Sequence, residues 1–313
     1  MEMLRAAEVT IPGSTANVGA GFDHVAVAID RWLLARAHLG RTVGGGAVVR
    51  RRGTLRELSR GASVSSDHDL LVRGFRAACS AANRLPPDGL TIHAESSIPV
   101  ARGLGSSAAG TVAGVLLANA LLGLEFDVDR AIGVAAGLEG HADNVAASVL
   151  GGATLVVGDD GGRYHAFPIA LEPQLRFVIA VPAFQLETAT ARAVLPERIS
   201  HATGVAAACR ASALVEGLRT GSPVLLGMAL DDVLHVPHRR SLIAGYDAVV
   251  AGALRAGAIG ATISGAGPSI LAITTVGCES RVGRAMVRMW KDAGVGASWF
   301  GSPAVDGATA CAL

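Results

Sequence analysis

Apolar residues along this chain recur with two periods, of two and of roughly 3.6 residues, and the changes of period mark out its elements. Residues 5–11 read as a strand that runs into a glycine-rich loop, IPGSTANVGAGFDH, at 11–24. Val25, Val27 and Ile29 alternate with smaller residues as a second strand, and 47–49 suggests a third. From 50 to 66 the sequence is polar and irregular, which predicts a surface loop. Asp67 or Asp69 can cap the helix that follows through Leu71, Phe75 and Ala78. Pro86, Pro87 and Gly89 stop that helix, and Leu90, Ile92 and Ala94 alternate as a strand. Further helices are predicted from Ser106 onward, from Asp127 onward and over 145–150. A DDGG turn at 159–162 separates strands at 153–157 and 177–181. Beyond it come helices at 188–195, 201–219 and 246–256, strands at 258–263 and up to Ile273, a helix at 282–290 and a closing strand at 297–300. Such a mixture reads as α+β, and 313 residues suit two domains, divided near the turn into 1–165 and 166–313.

The run from Gly103 to Leu124 carries no charge. Its length would span a bilayer. Gly, Ser, Thr and Asn are scattered through it, however, and no Lys or Arg cluster flanks it, so no membrane span is expected. Gly103 and Gly105 lack a Cβ where backbone must come close to something, and Ser106 and Ser107 open the helix. Strand, glycine loop and helix in that order form an anion site, because the first helical N–H groups have no partner in the helix and the macrodipole favours negative charge there. By themselves the same residues also allow a capped core helix with close packing at Gly110 and Gly114.

Composition narrows the chemistry. Of 27 basic residues only Lys291 is a lysine, and GxxxxGK[ST] is absent, so a mechanism that needs a lysine must use that residue, and a P-loop nucleoside triphosphatase, a protein kinase or a Schiff-base enzyme is not expected. A net charge of +1 gives no electrostatic case for nucleic acid. Cys79, Cys209, Cys278 and Cys311 follow neither metal-ligand nor disulfide-framework spacing, and no secretory leader pattern opens the chain, so a reducing cytoplasm is expected.

Polar side chains gather at four further places. The first loop holds Ser14, Asn17 and Asp23; EGHADN at 139–144 sets Glu139, His141, Asp143 and Asn144 between apolar runs, where they are costly unless paired or working. A carboxylate there, brought near Ser106 or Ser107, would complete an oxygen-rich Mg²⁺ site. Arg192 and Arg239 lie in polar contexts, and paired guanidiniums suit a carboxylate.

Taken in order, PGSTANVGAGFD at 12–23, PVARGLGSSAAG at 99–110 and SGAGPS at 264–269 resemble the three motifs of the GHMP small-molecule kinase superfamily. EGHADN, TATARAVLP at 188–196 and HVPHR at 235–239 are similar to the branch of that superfamily that phosphorylates L-homoserine in threonine biosynthesis. The resemblance runs nearly end to end. It implies an N-terminal α/β domain carrying the phosphate loop, a C-terminal ferredoxin-like domain, and ATP and substrate in the cleft between them. The ATP phosphates would lie against Pro99, Val100, Ala101, Arg102, Gly103, Leu104, Gly105, Ser106, Ser107, Ala108 and Ala109. Mg²⁺ would be held by Ser106 or Ser107 with Glu139. Homoserine would meet Asn17, Asp23, Asp143, Asn144, Arg192 and Arg239. Asn17, Asp23 and Asn144 would stand nearest the chemistry, which in such enzymes proceeds without a dedicated base. The assembly, monomer or homodimer, is left open.

Overall fold

A computed structural model describes residues 6–40, 47–59 and 68–313. β1 (Ala6–Asn17) and β2 (Gly21–Leu39) form a long hairpin, followed by β3 (Val48–Gly53), α1 (Leu70–Ala81), β4 (Leu90–Ser96), α2 (Ser106–Leu122), α3 (Val128–Glu139), α4 (Asp143–Leu150), β5 (Ala153–Gly158) and β6 (Tyr164–Ile169). β7 (Leu175–Pro182) begins a second body, with α5 (Thr188–Ala193), α6 (His201–Thr220), α7 (Pro223–Leu230), α8 (Val236–Arg239), α9 (Tyr246–Arg255), β8 (Gly260–Ile263), β9 (Ile270–Thr275), α10 (Glu279–Asp292), β10 (Ala297–Ser302) and β11 (Thr309–Ala312).

The first sheet runs β11-β1-β2-β4-β3, with β5 also paired to β2 and β6 beyond it. It is antiparallel except for β3 on β4. One face is covered by helices, and α2 lies among them with eleven of its residues buried. That burial explains a helix without charges, since an element apolar all round must be enclosed. α1 crosses α2 at backbone contact: a Cβ on Gly114 would stand 2.1 Å from the Leu71 carbonyl oxygen. Among the described residues no helix is long and apolar enough to cross a membrane.

The second sheet, β10-β7-β9-β8, is wholly antiparallel and has the strand order of a ferredoxin-like domain. β7 is buried on both faces. Val178 and Ala180 join the cluster under α9 and α10, centred on the fully buried Trp290, whereas Leu175, Phe177 and Ile179 join the core shared with the first body. Period-two alternation thus assigns one strand to two cores.

Several expectations change. The glycine-rich loop expected at 11–24 is mostly strand, because its backbone pairs with β2 through two register shifts and leaves only 18–20 at the tip. The loop expected from 50 is strand to Gly53 and a 3₁₀ turn over Thr54–Ser59. Arg51, within the stretch expected to be a surface loop, is ion-paired to Asp69, which caps α1. Asp67, the other cap candidate, lies outside the described residues. α7, α8, β6 and β11 were not foreseen: the first two are short, β6 is half exposed, and β11 carries no alternation. β6 straddles the expected division at 165 and 166, and β11 returns to the first sheet.

Candidate active site

The three glycine-rich segments interlock. Ser14 donates its amide to the Leu104 carbonyl at 3.1 Å and its hydroxyl to Asn144 Oδ1 at 2.8 Å, tying the hairpin to the loop before α2 and to α4. Thr15 Oγ1 and Ser264 Oγ share a hydrogen bond of 2.9 Å, and Ser264 Oγ donates to the Gly103 carbonyl at 2.7 Å. Gly265 donates its amide to Ala16 O at 2.9 Å while Asn17 Nδ2 donates to Gly265 O at 2.7 Å. The loop's shape rests on two left-handed residues, Gly103 and Gly105, both at φ +70°. A Cβ on Gly105 would meet Ser14 Oγ at 2.3 Å, and one on Gly103 would meet Ser264 O at 2.2 Å. No other residue fits either position without shifting a neighbouring segment.

Around this junction lies a cleft of about 290 Å³, lined at one end by residues 101–108 and Glu139, and at the other by Asn17, Asp23, His141, Asp143, Asn144, Arg192 and Arg239. At the first end α2 begins from Gly105 with no side chain capping its first turn, so its amides face the cleft as an anion site would require. Pro99 and Ala109 stand outside the cleft lining, and Val100 faces a neighbouring cleft. The Arg102 guanidinium is held by the carbonyls of Val100, Pro182 and Ala183 and by Glu57, so this residue offers the cleft its backbone more than its charge. Glu139 Oε1 accepts from Ser107 Oγ at 3.0 Å and from Thr111 Oγ1 at 2.6 Å. Of the two candidate serines, Ser107 therefore meets Glu139. Hydroxyl and carboxylate oxygens are the donors a Mg²⁺ ion prefers, and a protein contributing only a few of them relies on phosphates and water for the rest. Among the described residues no group of three or more His, Cys, Asp or Glu could hold a metal unaided.

The other end is built from charges already in partnership. Arg192 makes a two-pronged bond to Asp23, Nη1 to Oδ2 at 3.0 Å and Nη2 to Oδ1 at 2.7 Å, and that hydrogen bonding raises the Arg192 pKa. Arg239 is almost fully buried and donates Nε to Ala191 O at 2.9 Å. Burial, with the nearby charge of Arg192, lowers its pKa to about 10, so it stays cationic at neutral pH. His235 Nε2 donates to Gly19 O at 3.1 Å, and the ring stacks on Phe22; burial pulls its pKa down, consistent with a neutral ring beside Arg239. Asp143 Oδ1 accepts from the Asn144 amide at 2.7 Å and bonds His141 Nδ1 at 3.0 Å. Burial alone would lower His141, but that bond and the charges of Asp143 and Glu139 outweigh it and leave its pKa raised. Asn17, at φ +69°, also accepts from the Asp23 amide at 3.0 Å, so its side chain holds the hairpin in shape while lining the cleft.

Two features of the site escaped sequence reasoning. Arg73 on α1 lines the same cleft as the start of α2 and belongs to no glycine or acidic motif. A second, more apolar cleft of about 360 Å³ continues from the first through Leu70, Ala101, Ser106, Ser107 and Thr188. Leu33, Leu55, Leu58, Leu71, Val100 and Leu186 line it, and they come from β2, a 3₁₀ turn, α1 and two loops far apart in the chain.

A kinase whose phosphate loop opens a buried helix and whose second domain is ferredoxin-like is the class this geometry describes. The family profile for the GHMP kinases N terminal domain matches residues 69–152, and that for the GHMP kinases C terminal domain matches residues 214–292. The chain is 37% identical to a homoserine kinase of Synechococcus sp. over 92% of both chains, and 35% identical to that of Nostoc punctiforme over 94% of both. Its fold superposes on the crystal structure of homoserine kinase from Cytophaga hutchinsonii with a TM-score of 0.86 at 29% identity, covering 99% of this chain and 98% of that one. The mevalonate kinase of L. major shares the fold alone, with a TM-score of 0.65 at 17% identity over 98% of this chain and 97% of that one. The chain belongs to the homoserine kinase family of the GHMP kinases.

Proposed function

We propose that this chain transfers the γ-phosphate of ATP to the side-chain hydroxyl of L-homoserine, giving O-phospho-L-homoserine, and that Ser107 and Glu139 are the residues that would hold Mg²⁺. The observation that carries the reading is a single cleft joining the glycine-opened start of α2 to the set Asp23, Arg192, Arg239 and Asp143. When bound, that ion would supply charge neutralisation for phosphoryl transfer. The amides at the start of α2 hold the nucleotide's phosphates. The neighbouring apolar cleft takes the base, and its lining of leucines supports this.

The acceptor end favours an α-amino acid over a hydroxy acid. The Asp23–Arg192 pair is already satisfied internally, and a zwitterion can exchange it for two new pairs, ammonium on Asp23 and carboxylate on Arg192 and Arg239. A carboxylate without the ammonium would leave Asp23 stripped of its partner, which is costly at a partly buried site. Neither acid is free to serve as a base, since Asp23 is paired with Arg192 in the free protein and with the ammonium once the amino acid is bound, and Asp143 is held by His141 and the Asn144 amide. Positioning and charge stabilisation supply most of the catalysis of phosphoryl transfer, and the hydroxyl proton passes to the phosphate itself. Asn144, whose Oδ1 is taken by Ser14, keeps its amide NH₂ for orienting the acceptor.

Purified protein incubated with MgATP and a panel of hydroxyl acceptors tests this, with products identified by mass. Phosphorylation of L-homoserine but not of its deaminated analogue is expected. Turnover of the analogue at a comparable rate, or of a mevalonate-type alcohol in preference, would replace the reading with another GHMP activity.

A further inference from the structure

Seven charged residues line the main cleft: Asp23, Glu139 and Asp143 against Arg73, Arg102, Arg192 and Arg239. Three of the four arginines are committed. Arg102 is tied to three carbonyls and Glu57, Arg192 to Asp23, and Arg239 to the carbonyls of Ala191 and Gly265 and to His235. Arg73 is exposed, and its guanidinium has no hydrogen-bond or ion-pair partner among the described residues. Without it the three remaining arginines would balance the three acids, and the cleft would present no net positive charge to a polyanion.

The placement of Arg73 is fixed by packing. Leu70 lies over Gly110, and Gly74 abuts Thr111 and Gly114, so α1 runs along the first turns of α2 in the same direction. Side chains on a helix tilt toward its N-terminus. Arg73, between those two contacts, is thereby directed toward the turn that carries Ser106 and Ser107, with Asp69 capping the same helix one turn earlier. The only lysine, Lys291, is on α10 and lines neither cleft, so no lysine performs the task at this end.

We infer that Arg73 is the phosphate-binding cation of this active site, closing on the oligophosphate of the bound nucleoside triphosphate from the α1 side. The inference rests on the proposed ATP site but is independent of which alcohol accepts the phosphoryl group. A guanidinium suits the task because its planar fork can bond two phosphate oxygens at once.

Calorimetric binding of MgATP and of adenosine to the wild type, Arg73→Gln and Arg73→Lys tests it, with steady-state kinetics alongside. Losing a charged hydrogen bond to phosphate is expected to weaken MgATP roughly 10- to 100-fold in Arg73→Gln. Adenosine affinity should stay within about twofold, because it lacks the phosphates, and Arg73→Lys should recover part of the loss. In turnover the KM for ATP should rise while the KM for the acceptor holds. MgATP affinity in Arg73→Gln within twofold of wild type overturns the inference, as does equal weakening of adenosine, which would mark a structural disturbance. A wild type that binds MgATP and shows the Arg73 effect yet fails to phosphorylate homoserine upholds the inference and sinks the acceptor assignment alone. A wild type that does not bind MgATP sinks both.

Discussion

The two ends of the cleft are made of different material. At the phosphate end the recognition surface is mostly backbone: two left-handed glycines, the start of α2 and interlocking carbonyls, with Arg102 turned away into the protein and Arg73 the one arginine of the cleft left without an internal partner among the described residues. At the acceptor end it is side chains, held ready by internal partners that a substrate must replace. A backbone site tolerates little change in shape and draws most of its preference for anions from fixed amides, whereas a side-chain site can be retuned residue by residue.

Substitutions should separate the two ends. The largest effect is expected from Arg239→Gln, which leaves buried carbonyls without their cation. It should lower kcat/KM for homoserine roughly 100- to 1000-fold while MgATP affinity holds. Comparable loss of MgATP binding in this variant would break the comparison. Next, Gly105→Ala forces a Cβ into Ser14 Oγ at 2.3 Å and a side chain into φ +70°. MgATP affinity should fall on the order of 100-fold, since both strain and a displaced anion site contribute. Glu139→Gln keeps the shape but removes the charge near Ser107, and the Mg²⁺ concentration for half-maximal rate should rise about tenfold or more. Single-turnover assays of Asp23→Asn and Asp143→Asn sharpen the acceptor end: both should impair homoserine binding. Abolished chemistry with normal binding would instead require a catalytic base.

The smallest effect concerns pH. The folded pKa of His141 is raised, so the stability it contributes through Asp143 is fully present below its unfolded value of about 6.5 and is lost as pH rises through the folded value. The melting temperature of His141→Gln should fall below that of wild type by about 1–2 °C at pH 6, and the gap should narrow by pH 9. A gap that widens with pH would reverse the assignment.

The phosphate end was legible because its information is local. Gly103, Gly105, Ser106 and Ser107 sit within five positions, and glycine at a left-handed φ leaves a mark in the sequence itself. The acceptor end was legible only as candidates. That Asp23 would meet Arg192, 169 positions away, or that Ser107 rather than Ser106 would meet Glu139, depends on how α2, α3 and α5 pack, which periodicity does not encode. Arg73 was invisible for a related reason. A single arginine on an amphipathic helix looks like any solvated residue until a neighbouring helix turns it toward a cleft. In the fold, β11 and α8 were missed because segments of four residues leave too few positions for a period to register.

β11 joins the outer edge of β1, pairing Ala7 with Ala312 and Thr10 with Thr309. A ribosome therefore delivers the hairpin's strand some three hundred residues before its neighbour, and for that interval the strand's amides and carbonyls on that side are open to other chains. Removal of residues 309–312 should leave the finished protein in the same exposed condition and betray itself as aggregation before any loss of catalysis.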